Sequence, residues 1–244
     1  MHKRIKGYAH IHSIYSYDGS NSIAELSSFF KQRGYQFIYL TEHADDFDEN
    51  KMKAYVAECR RLSSPELTIV PGLEYRCREL VHILALGVDQ YFTCDNPQDL
   101  ISKIKSTDGL SVIAHPAKNM KNITRDLIKR ADAFEVWNAQ KDSRFIPNGV
   151  NLKIYNDFRM INPTLIPVGG GDIHSIEKYC ELDMVSRINI NDASPLSILR
   201  NAEKLRGAFW TLDLNSGYKN TEIMKLKFIR LVMKLIKSSI GKQQ

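Results

Sequence analysis

Residues 5–43 read IKGYAHIHSIYSYDGSNSIAELSSFFKQRGYQFIYLTEH. The stretch opens on a short apolar run, Ile5–Ile11, and crosses a polar turn. It then takes up helical periodicity over Ile23–Arg33 and returns to an apolar run at Phe37–Thr41. Strand, helix and strand in that order predict a parallel pair, because parallel strands need a crossover connection. The alternation continues downstream. Further strand candidates are Leu67–Val70, Val81–Leu86, Leu110–Ala114, Ala133–Val136 and Leu165–Val168. Helix candidates between them are Asn50–Leu62, Pro97–Ser106, Thr124–Lys129 and Leu152–Met160. So many units predict an α/β fold closed, or nearly closed, into a barrel. Two stretches depart from it. Glu74–Leu86 reads as extended chain with no helix, a hairpin-like excursion, and after Asp172 the alternation weakens until a last helix, Thr221–Ser238.

A chain of 244 residues fits one such domain. With 43% hydrophobic and 25% charged residues it can bury a full core. A formal charge of +6 suits an anionic substrate or surface. The cations are spread thinly, with no basic stripe in the main domain, so sequence-specific nucleic-acid binding is not expected. Cys59, Cys77, Cys94 and Cys180 form no CxxC pair, which disfavours a zinc knuckle or a disulfide framework. The N-terminus carries no apolar signal core, and no apolar run is long enough to span a bilayer. A cytoplasmic protein without a transmembrane segment is expected.

The chemistry lies at the strand ends. His10 and His12 are i, i+2 neighbours on a strand, so both imidazoles can reach one ion. The turn that follows carries Asp18. His43 ends the second strand, where barrels place functional groups. The acidic run Asp45, Asp46, Asp48 and Glu49 reads instead as helix-start chemistry. Glu74 follows a buried strand and a Pro-Gly turn, a costly place for an unpaired carboxylate. His82, inside an apolar run, reads by itself as a core histidine. His115 ends a later strand, and Asp172 with His174 repeats the i, i+2 arrangement after three glycines. Six of the seven histidines thus fall within or at the end of strand candidates. Six imidazoles and three carboxylates exceed the roughly four ligands that one zinc ion takes, so two or three ions are implied. Nitrogen and oxygen donors without thiolate fit zinc, manganese or iron.

HIHSIYSYDG (10–19), TEHAD (41–45), PGLE (71–74), VHILALG (81–87), AHP (114–116) and GDIHS (171–175) together resemble the PHP family, named for polymerase and histidinol phosphatase. Order and spacing match over about residues 5–180. The resemblance implies a distorted seven-stranded (β/α)7 TIM-like barrel, placed over 1–215, and the sequence pattern adds a basic amphipathic helix over 216–244 packed on it. The resemblance also implies one ion held by His10, His12, Glu74 and Asp172, and a second sharing Glu74 with His82 and His115. A third would sit with Asp18, His43 and His174. It thereby reverses the stand-alone reading of His82. Tyr17 lengthens the usual Ser-Asp-Gly spacing; this, and TEH in place of TDH, looks more like the histidinol-phosphatase side of the family.

Such a site is expected to hydrolyse a small phosphorylated substrate, most simply a phosphomonoester. Glu74 and Asp172 would help hold a hydroxide between ions, poised for in-line attack on phosphorus. Lys118, Arg76 and Arg144 are the candidate phosphate-binding cations, and Trp137, Tyr15 and Tyr17 candidate pocket walls. Alternatives are a phosphodiester, nucleotide or amide hydrolase of the same fold, or a non-catalytic metal-binding regulatory module. On the last helix Lys227, Arg230, Lys234 and Lys237 share one face. The preferred reading packs the apolar remainder on the barrel with the cations in water; peripheral contact with an anionic membrane is the second reading.

Overall fold

The structure, a computed structural model, describes residues 2–189 and 194–240. Its strands are β1 (His2–Ile11), β2 (Phe37–Leu40), β3 (Glu42–His43), β4 (Thr68–Val70), β5 (Gly72–Arg76), β6 (His82–Leu86), β7 (Leu110–Ile113), β8 (Ala133–Asn138), β9 (Ile166–Gly170), β10 (Leu182–Asn189), β11 (Ala202–Gly207) and β12 (Thr211–Asp213). The helices are α1 (Ile23–Gln32), α2 (Glu49–Leu62), α3 (Pro97–Lys105), α4 (Arg125–Arg130), α5 (Gly149–Arg159), α6 (Pro195–Arg200) and α7 (Asn220–Ile240).

The ladders differ from the expected seven-stranded ring. Among the described residues they form two six-stranded mixed sheets, ordered β12-β11-β10-β1-β2-β4 and β3-β5-β6-β7-β8-β9. Two causes are local. Pro71 has no N–H to donate, and the ladder breaks there between β4 and β5. The stretch after Asp172, where the sequence alternation weakens, folds as an antiparallel meander, β10 on β1, β11 on β10 and β12 on β11. The sheets are nevertheless joined. Only Thr41 separates β2 from β3, and Gly171 N donates to Ala9 O at 2.8 Å while His12 N donates to Ile173 O at 2.9 Å. These bonds bring the end of β1 beside the segment that follows β9.

The helices start where their sequences say they should. Ser22 and Glu25 cap α1 reciprocally, and Asn96 accepts from Gln98 N and Asp99 N at the start of α3. Asp48 accepts from Lys51 N and begins α2, which supports the helix-start reading of that acidic run. Helices α2 and α3 turn apolar positions inward: α2 buries Met52, Tyr55, Val56 and Cys59, and α3 buries Leu100, Ile101 and Ile104. Tyr8, Phe30, Phe37, Phe134 and Trp137 are fully buried between the sheets and these helices.

Candidate metal centre

All nine expected ligands lie around one rim. His10 and His12 end or follow β1, His43 ends β3, and His115 follows β7. Asp172 and His174 follow β9, and Asp18 comes in on the turn between β1 and α1. The hairpin accounts for His82. Because β6 runs antiparallel to β5, its first residue, paired with Arg76, sits at the same rim as the last residues of the parallel strands. A period-based reading cannot tell that end of a strand from a core position.

Glu74 is the hub. Its Oε1 lies 2.7 Å from His82 Nδ1 and 3.0 Å from His115 Nε2. Its Oε2 lies 3.5 Å from both His10 Nε2 and His12 Nε2 and 3.4 Å from His43 Nδ1. Asp172 Oδ1 stands 3.7 Å from His10 Nε2 and 3.8 Å from His12 Nε2. Asp18 reaches His43 Nε2 at 3.3 Å and His174 Nε2 at 3.2 Å. Four overlapping groups are close enough to grip an ion: His10, His12 and Glu74; His10, His115 and Asp172; Glu74, His82 and His115; His12, His43 and His174. The first two are fully buried, and the third and fourth open through His82, His43 and His174 to a cavity of about 510 Å³.

Around the ligands lies a layer that the sequence reading missed. Glu135 Oε1 lies 2.9 Å from His10 Nδ1, and its Oε2 accepts from His115 N and from Asn138 Nδ2. Asn138 also donates to Asp172 Oδ2 at 3.2 Å. Buried Glu42 accepts from Ser13 N, Ser13 Oγ and Ser16 Oγ, and Ser16 Oγ lies 3.4 Å from His12 Nδ1. Holding one imidazole nitrogen in this way fixes the ring and aims the other at the ion. Lys141 Nζ lies 3.2 Å from Asp172 Oδ2 at the cavity edge. The one sequence signal for Glu42 and Glu135 is a carboxylate beside or within an apolar strand, which does not by itself single them out. His10, His115 and Asp172 are held at φ of 62°, 28° and 52°, the left-handed region that non-glycine residues avoid. Strain of this sort persists where surrounding bonds over-determine the backbone.

Electrostatics follow from this packing. Burial alone would lower the His10 pKa, but Asp172, Glu135 and Glu74 outweigh it and hold it well above the ordinary value. His115 behaves alike: burial opposes its charge, and the Glu74 contact raises its pKa. Burial dominates at His12 and His174, whose pKa values fall. Burial would raise Glu74 and Asp172, yet the facing histidines pull both below the usual carboxylate range.

The expected substrate residues are divided. Arg76 lines the cavity and pairs with Asp45 at 3.1 Å. Lys118 closes the single turn Pro116–Lys118 beside His115, and its side chain lies outside the described ones. Arg144 is not among the residues lining the cavity, whereas Lys141 and Lys178 are. Tyr17 lines it and stacks on His43, with ring centroids 5.3 Å apart. Trp137 is instead core, its indole N–H donating to Ser143 O, and Tyr15 bonds Glu58 away from the site.

The donor set fits divalent ions. His10 Nε2 and His12 Nε2 are buried without any hydrogen-bond partner, though both face carboxylates across gaps too long for hydrogen bonds. Leaving such atoms unpaired in the interior costs about 1–3 kcal/mol each, and a shared cation removes the cost. The PHP domain family matches residues 9–136. PsfC of Pseudomonas syringae PB-5123 is similar in fold at 12% identity and a TM-score of 0.58, with 94% of this chain and 99% of that one covered. So is a protein provisionally assigned as a metal-dependent phosphoesterase in Bifidobacterium adolescentis ATCC 15703, at 14% identity, TM-score 0.52, and 69% and 87% coverage. Endonuclease Q, solved with a 27-mer duplex substrate carrying an abasic lesion at the active site, aligns at 12% identity and TM-score 0.55 over 81% of this chain and 56% of its own. No curated protein matches the chain in sequence.

Proposed function

The chain belongs to the PHP domain family, and on that premise we propose that it is a metal-dependent phosphoesterase acting on a small phosphorylated substrate, most simply a phosphomonoester. One observation carries the proposal. Two buried imidazole nitrogens and two carboxylates converge without satisfying one another, an arrangement that makes chemical sense around divalent cations.

His10, His12, Glu74 and Asp172 would hold one ion and Glu74, His82 and His115 a second, with Asp18, His43 and His174 offering a third place. Zinc, manganese and iron all suit these donors. When bound, such ions supply Lewis acidity and lower the pKa of water towards neutrality. The protein's own groups do the rest. Glu74 turns one oxygen to each side, so it can bridge two positions. Glu135 fixes His10 by its Nδ1 and leaves Nε2 facing the floor. Lys141 and Arg76 set positive charge at the cavity edge, where phosphoryl oxygens would lie; Lys118 would add to it. Tyr17 covers His43 and limits water on that side. The links between β1 and the segment after β9 support reading the two sheets as one distorted, TIM-like barrel whose rim carries this chemistry. The similarity to Endonuclease Q keeps a phosphodiester as the second substrate class.

The test is phosphate release from an aryl phosphate, alongside a bis-aryl phosphodiester, with manganese or zinc added. His10→Ala and Asp172→Asn should lose both metal and turnover. Activity that survives chelation in either variant refutes the proposal, and faster cleavage of the diester moves the substrate class.

A further inference from the structure

Helix α7 packs on α5 through Ile223 and Leu226, which are 3% and 1% exposed. Arg230 turns the same way, towards Asp142 at 3.9 Å. The cationic face expected to point at water is therefore partly tucked in, and an apolar stripe points out. Met224, Phe228 and Leu231 are 63%, 67% and 54% exposed. At a helical advance of about 100° per residue the three fall within an arc of about 60°, with Val232 at its edge. Lysines border the stripe on both sides, Lys225 on one and Lys227 and Lys234 on the other. The patch continues off the helix. Lys225 Nζ lies 5.5 Å from the centre of the Trp210 ring, and the adjacent Phe209, 73% exposed, packs on Phe145.

We propose that this face of α7 docks on an anionic lipid bilayer, lying in the plane of the surface. No helix among the described residues is long and apolar enough to cross a membrane. Aromatic and aliphatic side chains would enter the upper acyl region, while the flanking lysines reach the headgroup phosphates along their alkyl stems. Charge decides between this occupant and a second copy of the chain. Glu222 is the sole acid within residues 220–240. Met224, Phe228 and Leu231 have coiled-coil spacing, and their flanking positions are Lys225, Lys227, Val232 and Lys234. Two such helices packed together would set lysine against lysine, or against valine, with no carboxylate to pair it. An anionic surface supplies the missing counter-charge.

The test is co-sedimentation of the full chain with phosphatidylcholine vesicles and with vesicles containing phosphatidylserine. Partition should be about tenfold stronger with phosphatidylserine and should fall in high salt. Phe228→Glu with Leu231→Glu should abolish it, and Lys225→Gln with Lys234→Gln should weaken it. These side chains point outward, so circular dichroism and metal content should stay as in the parent. A folded parent chain that ignores phosphatidylserine vesicles overturns the proposal. So does a parent dimer, measured by light scattering, that Phe228→Glu with Leu231→Glu converts to monomer.

Discussion

At the scale of single residues, Glu135 is the informative case because it touches no expected ion. It holds His10 by Nδ1 and the His115 backbone by N–H, so it positions two ligands on different strands. Glu135→Ala should weaken divalent-ion affinity about 10- to 100-fold, read by competition with a chelating dye, while the circular dichroism spectrum holds. A second expectation concerns protons. His10 and His115 keep theirs to higher pH than free histidine, and a metal binds only the neutral ring. Uptake near pH 7 should therefore release protons, measurable by calorimetry in two buffers of different ionisation enthalpy. Affinity should fall as pH falls, and the release should shrink as pH rises through the folded-state values. Glu135→Gln removes one of the charges raising His10, so it should reduce the release. The convergence of His10, His12, His43, His115 and His174 on one rim was legible because histidine at the end of apolar strands is rarely accidental, whereas His82 read as core until the family resemblance placed it in the set. Glu42, Glu135, Asn138 and Lys141 were not legible, because a strand carboxylate, an amide and a loop lysine have many ordinary uses until their partners are seen.

Elements explain why the site can be so tight. The end of β9 passes so near β8 that a Cβ on Gly170 would collide with the Glu135 carboxylate and crowd His10 Cβ. Only glycine leaves room for the Glu135–His10 contact. Gly170→Ala should cost about 1–3 kcal/mol of stability in chemical denaturation, with loss of metal affinity beyond what that explains. An unchanged metal affinity would show that Glu135 can move away freely. The parallel strands were legible because each is a short apolar run between turn signals. Strand β10 was not, although Leu182, Met184 and Ile188 alternate as a strand should. Buried Asp183 and Ser186 break its apolar character. Among the described residues, Asp183 meets long-range partners, Tyr35 at 2.6 Å and Lys6 at 3.1 Å, that a local pattern cannot reveal. The α/β class was legible in the same way, while the expected distorted seven-stranded barrel is met by two six-stranded mixed sheets among the described residues. Periodicity reports which residues form strands, while partner choice depends on Pro71 and on the antiparallel hairpin after it.

Across the whole molecule, the expected ligands come from residues 10 to 174 and bring nearly every strand of the rim to one point. α7 lies outside that web and is held by close approach. A Cβ on Gly149 would stand 2.7 Å from Ile223 O, so Gly149→Leu should push α7 off α5 and speed proteolysis within it. Metal content should hold in that variant, since no ligand sits on either helix. Removing metal should have the opposite distribution. An ion that binds only the folded state stabilises it by about 2.7 kcal/mol at a hundredfold excess over Kd, which corresponds to roughly 5–10 °C in Tm for a domain of this size. Chelation should lower Tm by that order, and hydrogen exchange should rise first at the ends of β1, β5, β7 and β9, because their shared anchor is gone. Without the cation, two buried imidazoles lose their partner and three left-handed residues lose the bonds that justify their strain. If chelated and metal-loaded protein melt together, the converging side chains are held by their own ion pairs, and the rim is a structural knot instead of a metal centre.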